Sequence, residues 1–323
     1  MEDLKLNAKD WKIIKELDLD ARQSNSDLAK EVKLSKNVVN YQVKRMESLG
    51  LLKKYITLVD YSKLGHIQFG AYLDLYELDP QKEEELLQYL VKDKKTGIVA
   101  RTLGDWDVIF TMHVKHPLEF YGAWNKMMEK FRGLIRNYAT NLVTTEHLFS
   151  RTYLVSDKQA AKTSWDLGGS SPEEKVDEVD LSLLKLLSDH ARIPIKDLAT
   201  KVGLGSMAII YRLKQLAKKK IIVGHRADLN FEALGYEHYK VTLELEDFKL
   251  AKELAGFCRS HPHVISITEA ISDNADFEFD VEVKGLTAFH GFMETLKKQF
   301  PGTIRNYKYI HLLNLHKVVH LAG

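Results

Sequence analysis

Two short stretches of the chain concentrate lysine and arginine, the side chains that bind phosphate through charge and hydrogen bonds. Residues 36–54 carry five basic side chains against one acidic, and residues 206–226 carry six against none. The whole chain is nearly neutral, with a formal net charge of +2. A basic patch on an otherwise neutral modular protein is typical of a phosphate-binding surface, so both stretches indicate a double-stranded DNA partner. A solvated helix face would also explain either stretch taken alone.

The residues of these stretches differ in the contacts that they could make. Asparagine can pair with adenine edges, so base contacts are expected from the first turns of a helix, at Lys36, Asn37, Asn40 and Tyr41. Phosphate contacts are expected further along, at Lys44, Arg45, Lys53 and Lys54. The second stretch offers Ser206, Met207, Arg212, Lys214 and Lys218, with Met207 limited to apolar contact. Alternatively, Tyr41 and its counterpart Tyr211 pack inside their own domains.

Other kinds of site have little support in the sequence. The single cysteine, Cys258, excludes a disulfide pair and cysteine-based zinc sites. There is no histidine cluster at metal-ligand spacing, no nucleophile–base motif and no phosphate-cradling glycine loop. No run reaches the ~18 apolar residues of a membrane helix, and the charged N-terminus is unlike a signal peptide. We therefore expect a cytoplasmic protein without metal, cofactor or enzymatic activity.

The chain is an internal duplication. Ala21-Arg22 recurs as Ala191-Arg192, and Leu64-Gly65 recurs as Leu234-Gly235, both at an offset of 170 positions. Further on, the tetrapeptide Ile-Arg-Asn-Tyr at 135–138 recurs at 304–307, at an offset of 169. Both basic stretches fall at equivalent positions of this repeat. The two copies therefore share one architecture.

Each copy begins with the pattern of a winged helix-turn-helix. In the first copy, apolar periodicity and capping residues predict helices at 8–19, 24–32 and 36–49, then an extended wing at 51–60. The second copy repeats these elements near 180–188, 195–202, 206–219 and 221–230. Two short helices joined by a tight turn, the second with a basic face, are typical of a DNA-binding head.

The remainder of each copy predicts a βαββαβ arrangement. Period-two alternation at 108–114 and 277–283 indicates antiparallel strands with one buried face, and helices are expected at 80–91, 117–131, 247–259 and 286–300. The fold class is therefore α+β, with two winged helix-turn-helix domains, each followed by a ferredoxin-like domain. The predicted boundaries are 1–64 and 65–155, a flexible Gly/Ser-containing linker at 156–176, then 177–234 and 235–323.

The chain resembles the leucine-responsive regulatory protein/AsnC family of transcription regulators. The resemblance is carried by Asp20-Ala21-Arg22, Asp27-Leu28-Ala29, Val32-Lys33-Leu34-Ser35, Val43-Lys44-Arg45-Met46-Glu47 and Gly104-Asp105-Trp106-Asp107. It implies sequence-specific DNA binding, and a βαββαβ domain that senses a small effector of the amino-acid class and forms oligomers. In this chain the two sheets are expected to pair as an intrachain pseudo-dimer.

The resemblance also implies an effector loop, at Gly104, Asp105 and Asp107. Glycine allows close backbone approach, and a carboxylate could hold an ammonium group. The alternative is an ordinary β-turn, because Gly-Asp is a common turn pair. The second copy departs from the pattern here, since its loop Ser272–Asp276 lacks glycine and is one residue longer. We therefore expect any effector site in the first copy, and reading by the second head mainly through phosphates.

Two other functions stay open at this point. Fused siroheme decarboxylases resemble this chain in architecture, but carry a His-Asn-Tyr-rich stretch before the third strand of the βαββαβ domain. The corresponding residues here are Val99–Gly104 and Ile267–Ala270, which lack that composition. The third function is an adaptor that docks to transcription machinery through apolar Met207 and Ile210.

Overall fold

The first copy contains three helices and a strand, followed by a strand–helix–strand–strand–helix–strand unit. The computed structural model describes residues 6–76, 79–154, 162–170, 172–273 and 275–321. The elements are α1 (Ala8–Leu19), α2 (Asn25–Glu31), α3 (Lys36–Ser48), β1 (Leu52–Val59), β2 (Ile67–Leu75), α4 (Pro80–Lys92), β3 (Thr96–Gly104), β4 (Val108–Val114), α5 (Pro117–Phe131) and β5 (Ile135–Phe149). Every predicted helix of this copy is confirmed, with bounds that differ by at most one residue.

Local sequence explains where these helices begin and end. Asn7, Ser24 and Ser35 each precede a helix, and their side chains accept hydrogen bonds from backbone N–H groups of its first turn. After α3, Gly50 adopts a φ of +66°, a left-handed conformation that glycine takes without steric penalty. The turn from α3 into the wing is therefore encoded within a few residues.

The second copy repeats this order after one additional strand. Its elements are β6 (Ser164–Gly168), α6 (Glu178–Asp189), α7 (Ile195–Val202), α8 (Ser206–Lys218), β7 (Ile222–Leu229), β8 (Glu237–Leu245), α9 (Ala251–Ser260), β9 (Val264–Ser272), β10 (Phe277–Val283), α10 (Gly285–Gln299) and β11 (Ile304–Val318). The helix predicted at 247–259 is split, because a 3-10 turn at Phe248–Leu250 precedes α9. No helix among the described residues is long and apolar enough to cross a membrane.

The predicted flexible linker contains ordered structure. Strand β6 pairs with β5, and Trp165 within it is buried. The Trp165 ring packs so closely on Gly224 that a Cβ there would lie 2.5 Å from the indole nitrogen. The prediction was wrong for this part because the Gly-Gly-Ser-Ser-Pro run at 168–172 begins only at the last residue of β6. Residues 156–161 and 171 of the predicted linker lie outside the described residues.

The chain folds into two compact units, and each unit contains parts of both copies. The head unit comprises Met1–Asp60, Phe149–Trp165 and Glu174–Tyr236. The sheet unit comprises Tyr61–Leu148, Asp166–Glu173 and Glu237–Gly323. Like domains of the two copies therefore associate with each other.

In the head unit, the wings of the two helix-turn-helix domains form one antiparallel ribbon. Strand β1 pairs with β7 over most of its length. Two further backbone hydrogen bonds extend the junction, from Ala21 N–H to the His225 carbonyl (2.9 Å) and from Ala191 N–H to the Tyr55 carbonyl (2.8 Å). Ala227 and Leu229 of β7 are buried in the same apolar core as Ile14 of α1. The first head is therefore completed by residues of the second.

In the sheet unit, eight strands form a closed ring of hydrogen-bonded neighbours. Each copy contributes an antiparallel sheet of ferredoxin-like order, β5–β2–β4–β3 and β11–β8–β10–β9. The 15-residue strands β5 and β11 extend beyond their own sheets, so β5 also pairs with β9 and β11 with β3. The two sheets thus pair within one chain, as the resemblance implied.

Strand β10 differs from the prediction of one buried face. Phe277, Phe279 and Val281 are buried, but Glu278, Asp280 and Glu282, on the opposite face, are buried as well. The prediction failed because alternation alone cannot show that the polar face of one sheet will meet another sheet.

The buried carboxylates of β10 belong to a polar network that joins the copies. The Lys240 ammonium lies 3.3 Å from the Glu278 carboxylate and 3.4 Å from that of Asp280. Tyr72 and Asn141, both from the first copy, donate hydrogen bonds to Glu278 (2.8 and 3.1 Å). Burial would lower the pKa of Lys240, but the neighbouring Asp280, Tyr72 and Glu278 hold it well above its ordinary value. The ammonium group therefore stays charged inside the ring.

A second buried ionic cluster lies within the head unit. The Asp18 carboxylate of α1 accepts hydrogen bonds from the guanidinium groups of Arg226 in β7 (2.5 Å) and Arg151 (2.9 Å). Asp18 and Arg226 are both buried. Burial would raise the pKa of Asp18, but Arg226 and Arg151 outweigh it and hold that pKa below its ordinary value. The ionised carboxylate therefore fastens the first head to the wing of the second.

We expect Asp18→Asn to lower the free energy of unfolding by about 3–5 kcal/mol at pH 7, because it leaves two guanidinium groups without their counter-charge. The folded-state pKa of Asp18 is lowered, so its contribution is present above about pH 4, the unfolded value, and is lost as the pH falls through the folded value. The difference in unfolding free energy between the wild-type protein and the variant should therefore become smaller in acid. Urea denaturation at several pH values measures this difference.

The matched control is Asp197→Asn, at an exposed first-turn position of α7, which should change stability by less than about 0.5 kcal/mol. Equal effects of the two substitutions would contradict the role of the Asp18 cluster.

Candidate nucleic-acid interface

Helix α3 buries one side and exposes the side that carries the predicted base-reading residues. Val39, Val43 and Met46 pack in the core of the head. The residues that the structure leaves exposed on the other side are Lys36, Asn37, Tyr41 and Lys44. Tyr41 is 66% exposed and Tyr211 is 64% exposed, so the alternative that these rings pack inside their heads is wrong.

Arg45, which was predicted to contact phosphate, also makes an ion pair inside the head. Its guanidinium group lies 3.1 Å from the Asp10 carboxylate of α1, which is fully buried. Since the ion pair holds α1 against α3, Arg45 positions the recognition helix. The wing residue Lys53 is exposed and Lys54 is half-buried. Lys36, Lys44 and Lys53 are therefore the exposed cations of the first basic stretch.

Asn40 is part of a hydrogen-bond chain that the sequence did not predict. Its Oδ1 accepts a hydrogen bond of 2.7 Å from Nδ2 of Asn25, at the start of α2. The Oδ1 of Asn25 in turn accepts a hydrogen bond from Arg192 of the second copy. The one sequence signal for these contacts was the recurrence of Ala-Arg at 21–22 and 191–192. That signal identified the position but gave no partner.

The second recognition helix, α8, presents a different face. Met207 is 77% exposed, and Ser206 and Lys214 are also exposed. The guanidinium group of Arg212 binds the carboxylates of Asp177 (2.8 Å) and Asp180 (2.9 Å) at the start of α6. Arg212 was predicted to contact DNA, but in the structure it holds α6 against α8, as Arg45 does for α1 and α3.

Other cations of the second basic stretch are also engaged within the protein. Arg226 is buried against Asp18, and the Lys219 ammonium donates to the Lys175 carbonyl and lies 3.6 Å from the Glu174 carboxylate. The exposed lysines that remain on this stretch are Lys214, Lys218 and Lys220. The accessible charge of the second head is therefore smaller than the sequence suggested.

In the predicted effector loop, Gly104 and Asp107 shape the turn, and Asp105 is exposed to solvent. Gly104 has a φ of +131°, and a Cβ there would lie 2.7 Å from the Tyr309 carbonyl oxygen, so only glycine fits. Asp107 accepts a hydrogen bond from the Leu75 N–H (2.7 Å), and Asp276 does the same for Leu245 N–H (2.8 Å) in the second copy. The turn interpretation therefore accounts for Asp107.

Asp105 is exposed and lines a small cleft in the sheet unit. The cleft has an empty volume of ≈ 210 Å³, which includes space open to solvent. Its lining comes from both copies: Tyr72, Asp105, Trp106, Lys240, Thr242, Lys308, Tyr309 and Ile310. The corresponding loop of the second copy includes Asn274, which lies outside the described residues. Within the described part of the chain, no group of three His, Cys, Asp or Glu side chains is arranged to hold a metal ion.

Comparison with solved structures relates the whole fold to a known one. The chain superposes on the siroheme decarboxylase NirDL with a TM-score of 0.63 at 14% identity, covering 97% of this chain and 94% of that one. At this identity the likeness concerns the fold alone. It supports the tandem arrangement of two helix-turn-helix and two βαββαβ domains.

Comparison of sequences identifies relatives of the chain. The model of winged helix-turn-helix DNA-binding domains matches residues 6–53 and again 176–223. The Bkd operon transcriptional regulator of Pseudomonas aeruginosa is 33% identical over 132 residues, 40% of this chain and 85% of that protein. The regulator LrpA of Pyrococcus horikoshii is 30% identical over 114 residues, 31% of this chain and 79% of that protein. The chain therefore belongs to the leucine-responsive regulatory protein/AsnC family of transcription regulators, as a tandem duplication.

Proposed function

We propose that the chain regulates transcription by binding one DNA site with two unequal heads, the first reading bases and the second holding phosphates. The observation that carries this proposal is the difference between the exposed faces of α3 and α8 within one head unit. The first face offers Asn37 and Tyr41, which can bond to base edges. At the positions of Asn37 and Asn40 the second copy has Met207 and Ile210.

The pairing of β1 with β7 supports simultaneous binding. Because the strands share backbone hydrogen bonds and a common core, the two heads meet DNA as one body. The separation of the two contacted segments of DNA is then set by the protein. This arrangement predicts a DNA site with two halves at a fixed distance, one with a defined base sequence and one without.

Binding titrations across a salt series test the division of labour. The slope of log K against log salt should be steep and negative, at about −0.9 for each phosphate contact. Lys214→Ala with Lys218→Ala should make the slope shallower by about 2 and weaken specific and random DNA alike. Asn37→Ala should leave the slope unchanged and lower the preference for the specific site by about 1–3 kcal/mol.

Lys185→Ala, which removes an exposed lysine from α6, controls for the loss of charge and should change neither quantity much. If the lysine pair altered sequence preference while Asn37→Ala did not, the reading head would have been assigned to the wrong copy. Binding without salt dependence, or to no duplex, would remove the proposal.

We further propose a small effector of the amino-acid class at the cleft beside Asp105. The lining of the cleft includes Asp105 and Lys308, which are both exposed and whose opposite charges complement a zwitterion. The ammonium group of Lys240 is already paired with Glu278 and Asp280. The space enclosed between the lining residues has room for about one water molecule, so the loop that carries Asp105 must open to admit even a compact ligand. Exposed Leu103 (61%) and Ile271 (69%), on β3 and β9, are where we propose that several chains associate.

Thermal-shift screening with the amino acids should give a stabilising ligand whose effect Asp105→Asn abolishes. Asp273→Asn, in the corresponding loop of the second copy, should leave the shift intact. Gly104 is unsuitable for this test, since any side chain there collides with Tyr309. Sedimentation with and without the ligand reports on association of chains. A shift lost only in the Asp273 variant, or no ligand from the panel, would contradict the proposed site.

A tetrapyrrole decarboxylase is the second candidate function, favoured by the full-length likeness to NirDL. Against it stand Val99–Gly104 and Ile267–Ala270, which lack the His-Asn-Tyr-rich composition of such enzymes. Titration of the protein into a solution of siroheme should therefore leave the visible absorption spectrum unchanged. A saturable spectral shift at stoichiometric protein would favour the enzyme over the regulator.

A further inference from the structure

Arg192, at the base of the second head, reaches across the ribbon and contacts the first head at several points. Its guanidinium group donates a 3.2 Å hydrogen bond to the Gln23 carbonyl and another to the side chain of Asn25. Its carbon Cζ also lies 4.9 Å from the centre of the Tyr55 ring, at cation–π distance. A residue of one copy is thus packed against the helix-turn-helix of the other.

The contact with Asn25 fixes the orientation of two side-chain amides. A guanidinium group is a donor only, so Asn25 must turn its Oδ1 toward Arg192. The Nδ2 of Asn25 then points to Asn40, and the Oδ1 of Asn40 accepts its hydrogen bond at 2.7 Å. Since the Oδ1 of Asn40 is engaged inward, its Nδ2 is the group left to meet a base.

A second branch of contacts anchors the other end of the recognition helix. The Tyr55 ring that stacks on Arg192 donates its hydroxyl to the Glu47 carboxylate of α3, at 2.6 Å. Burial, followed by the bond to Glu47, raises the pKa of Tyr55, so the hydroxyl remains a donor at neutral pH. The helix that carries Asn40 is therefore held near both ends by groups that contact Arg192.

At the corresponding positions, the second head has no equivalent of this hydrogen-bond chain. Arg22, the counterpart of Arg192, donates to the carbonyl groups of Ala191 and Ile193. The counterparts of Asn25 and Asn40 are Ile195 and Ile210, which have no amide group. Any effect of such a hydrogen-bond chain on base reading is thus confined to the first head.

We infer that Arg192 determines base specificity in the other copy, by forcing Asn40 to present its amide donor to the DNA. This inference rests on the proposed function. Adenine is read by asparagine through a donor and an acceptor together. The bond from Asn25 holds the Oδ1 of Asn40 toward α2, so the Nδ2 is the group that can turn toward a base. Asn40 therefore selects a base with acceptors alone on its major-groove edge, guanine or thymine, instead of the adenine expected from the sequence.

The inference is tested by selecting preferred sequences from randomised duplexes, with binding constants for single-base variants of the selected site. The base pair whose preference disappears in Asn40→Ala identifies the position read by Asn40. In Asn25→Asp, the carboxylate only accepts, so it keeps Arg192 and forces Asn40 to turn Nδ2 inward and Oδ1 outward. An acid in the first turn of α2 is compatible with the helix dipole.

We expect Asn25→Asp to switch that one position from guanine or thymine to a base with a donor, cytosine or adenine, by ~10-fold in relative affinity. Arg192→Met frees both amides and should reduce the discrimination at the same position, whether or not the aspartate variant folds. Arg22→Met is the matched control, because the guanidinium group of Arg22 donates hydrogen bonds to backbone carbonyls and not to Asn25 or Asn40, and it should leave every preference unchanged.

The outcomes separate this inference from the proposed function. Wild-type protein that selects no sequence would overturn the proposed function, and the inference with it. Wild-type protein that selects a site, together with variants of Asn25 and Arg192 that bind normally and prefer the same base, would overturn the inference alone. A change spread evenly over all positions would also overturn it, since a merely structural role of Arg192 predicts that result.

Discussion

The antiparallel pairing of β1 with β7 is the interaction on which the rest of the head unit depends. It places residues of the second copy in the core of the first, and it brings Arg226 to the buried Asp18 and Arg192 to Asn25. The pairing covers one edge of each wing strand, and an unpaired edge there would invite association with other chains. The two recognition helices are consequently parts of one compact unit that is joined by the ribbon.

Because each copy always pairs with the other copy of the same chain, the two copies can diverge in sequence. The backbone at the ends of the recognition helices α3 and α8 shows such a divergence. Gly50 follows α3 at a φ of +66°, whereas Lys220 takes the same conformation after α8 at +56°. A lysine tolerates that conformation only at a steric cost. Before the recognition helices the exchange is reversed, since Lys33 takes a φ of +55° where the second copy has Gly203 at +71°, so each head incurs the cost once. The surface divergence between Asn37 and Met207 has the same origin.

Local signals explain why much of the fold was predictable. Capping residues such as Ser24 and Ser35, together with apolar periodicity, define a helix within its own ~10 residues, so α1 to α5 agree with the prediction. Agreement was also good for β4, whose alternating residues Val108, Phe110, Met112 and Val114 are all buried in the core with the helices of that copy. Recurrence of motifs then gave the architecture of the second copy without further evidence.

The features that the sequence did not predict all depend on packing between distant segments. A basic residue on a recognition helix can contact a DNA phosphate or pair with a carboxylate of the protein, and the sequence alone does not distinguish the two. The pairing of Arg212 with Asp177 could therefore not be predicted from its position. Strand β6 is in the same situation, because its order comes from contacts with β5 and Gly224 and its own composition is neutral. The carboxylates of β10 were predicted to face solvent for the same reason, because their burial depends on packing against distant segments.

Those carboxylates also explain why the first copy pairs with the second rather than with its own like. Glu278 accepts from Tyr72 and Asn141, whose counterparts in the second copy are Thr242 and Ile310. If two second-copy sheets met, each Glu278 would face an isoleucine in place of an amide donor, and a buried carboxylate that loses a donor is costly. If two first-copy sheets met, Asn141 would lose Glu278, since the corresponding residue is Ile109. The network therefore disfavours the pairing of either sheet with a second sheet of its own kind. A free-energy penalty on the wrong pairings makes the pairing of unlike sheets specific. Closure of the ring within one chain follows from polar groups that only the unlike pair can satisfy.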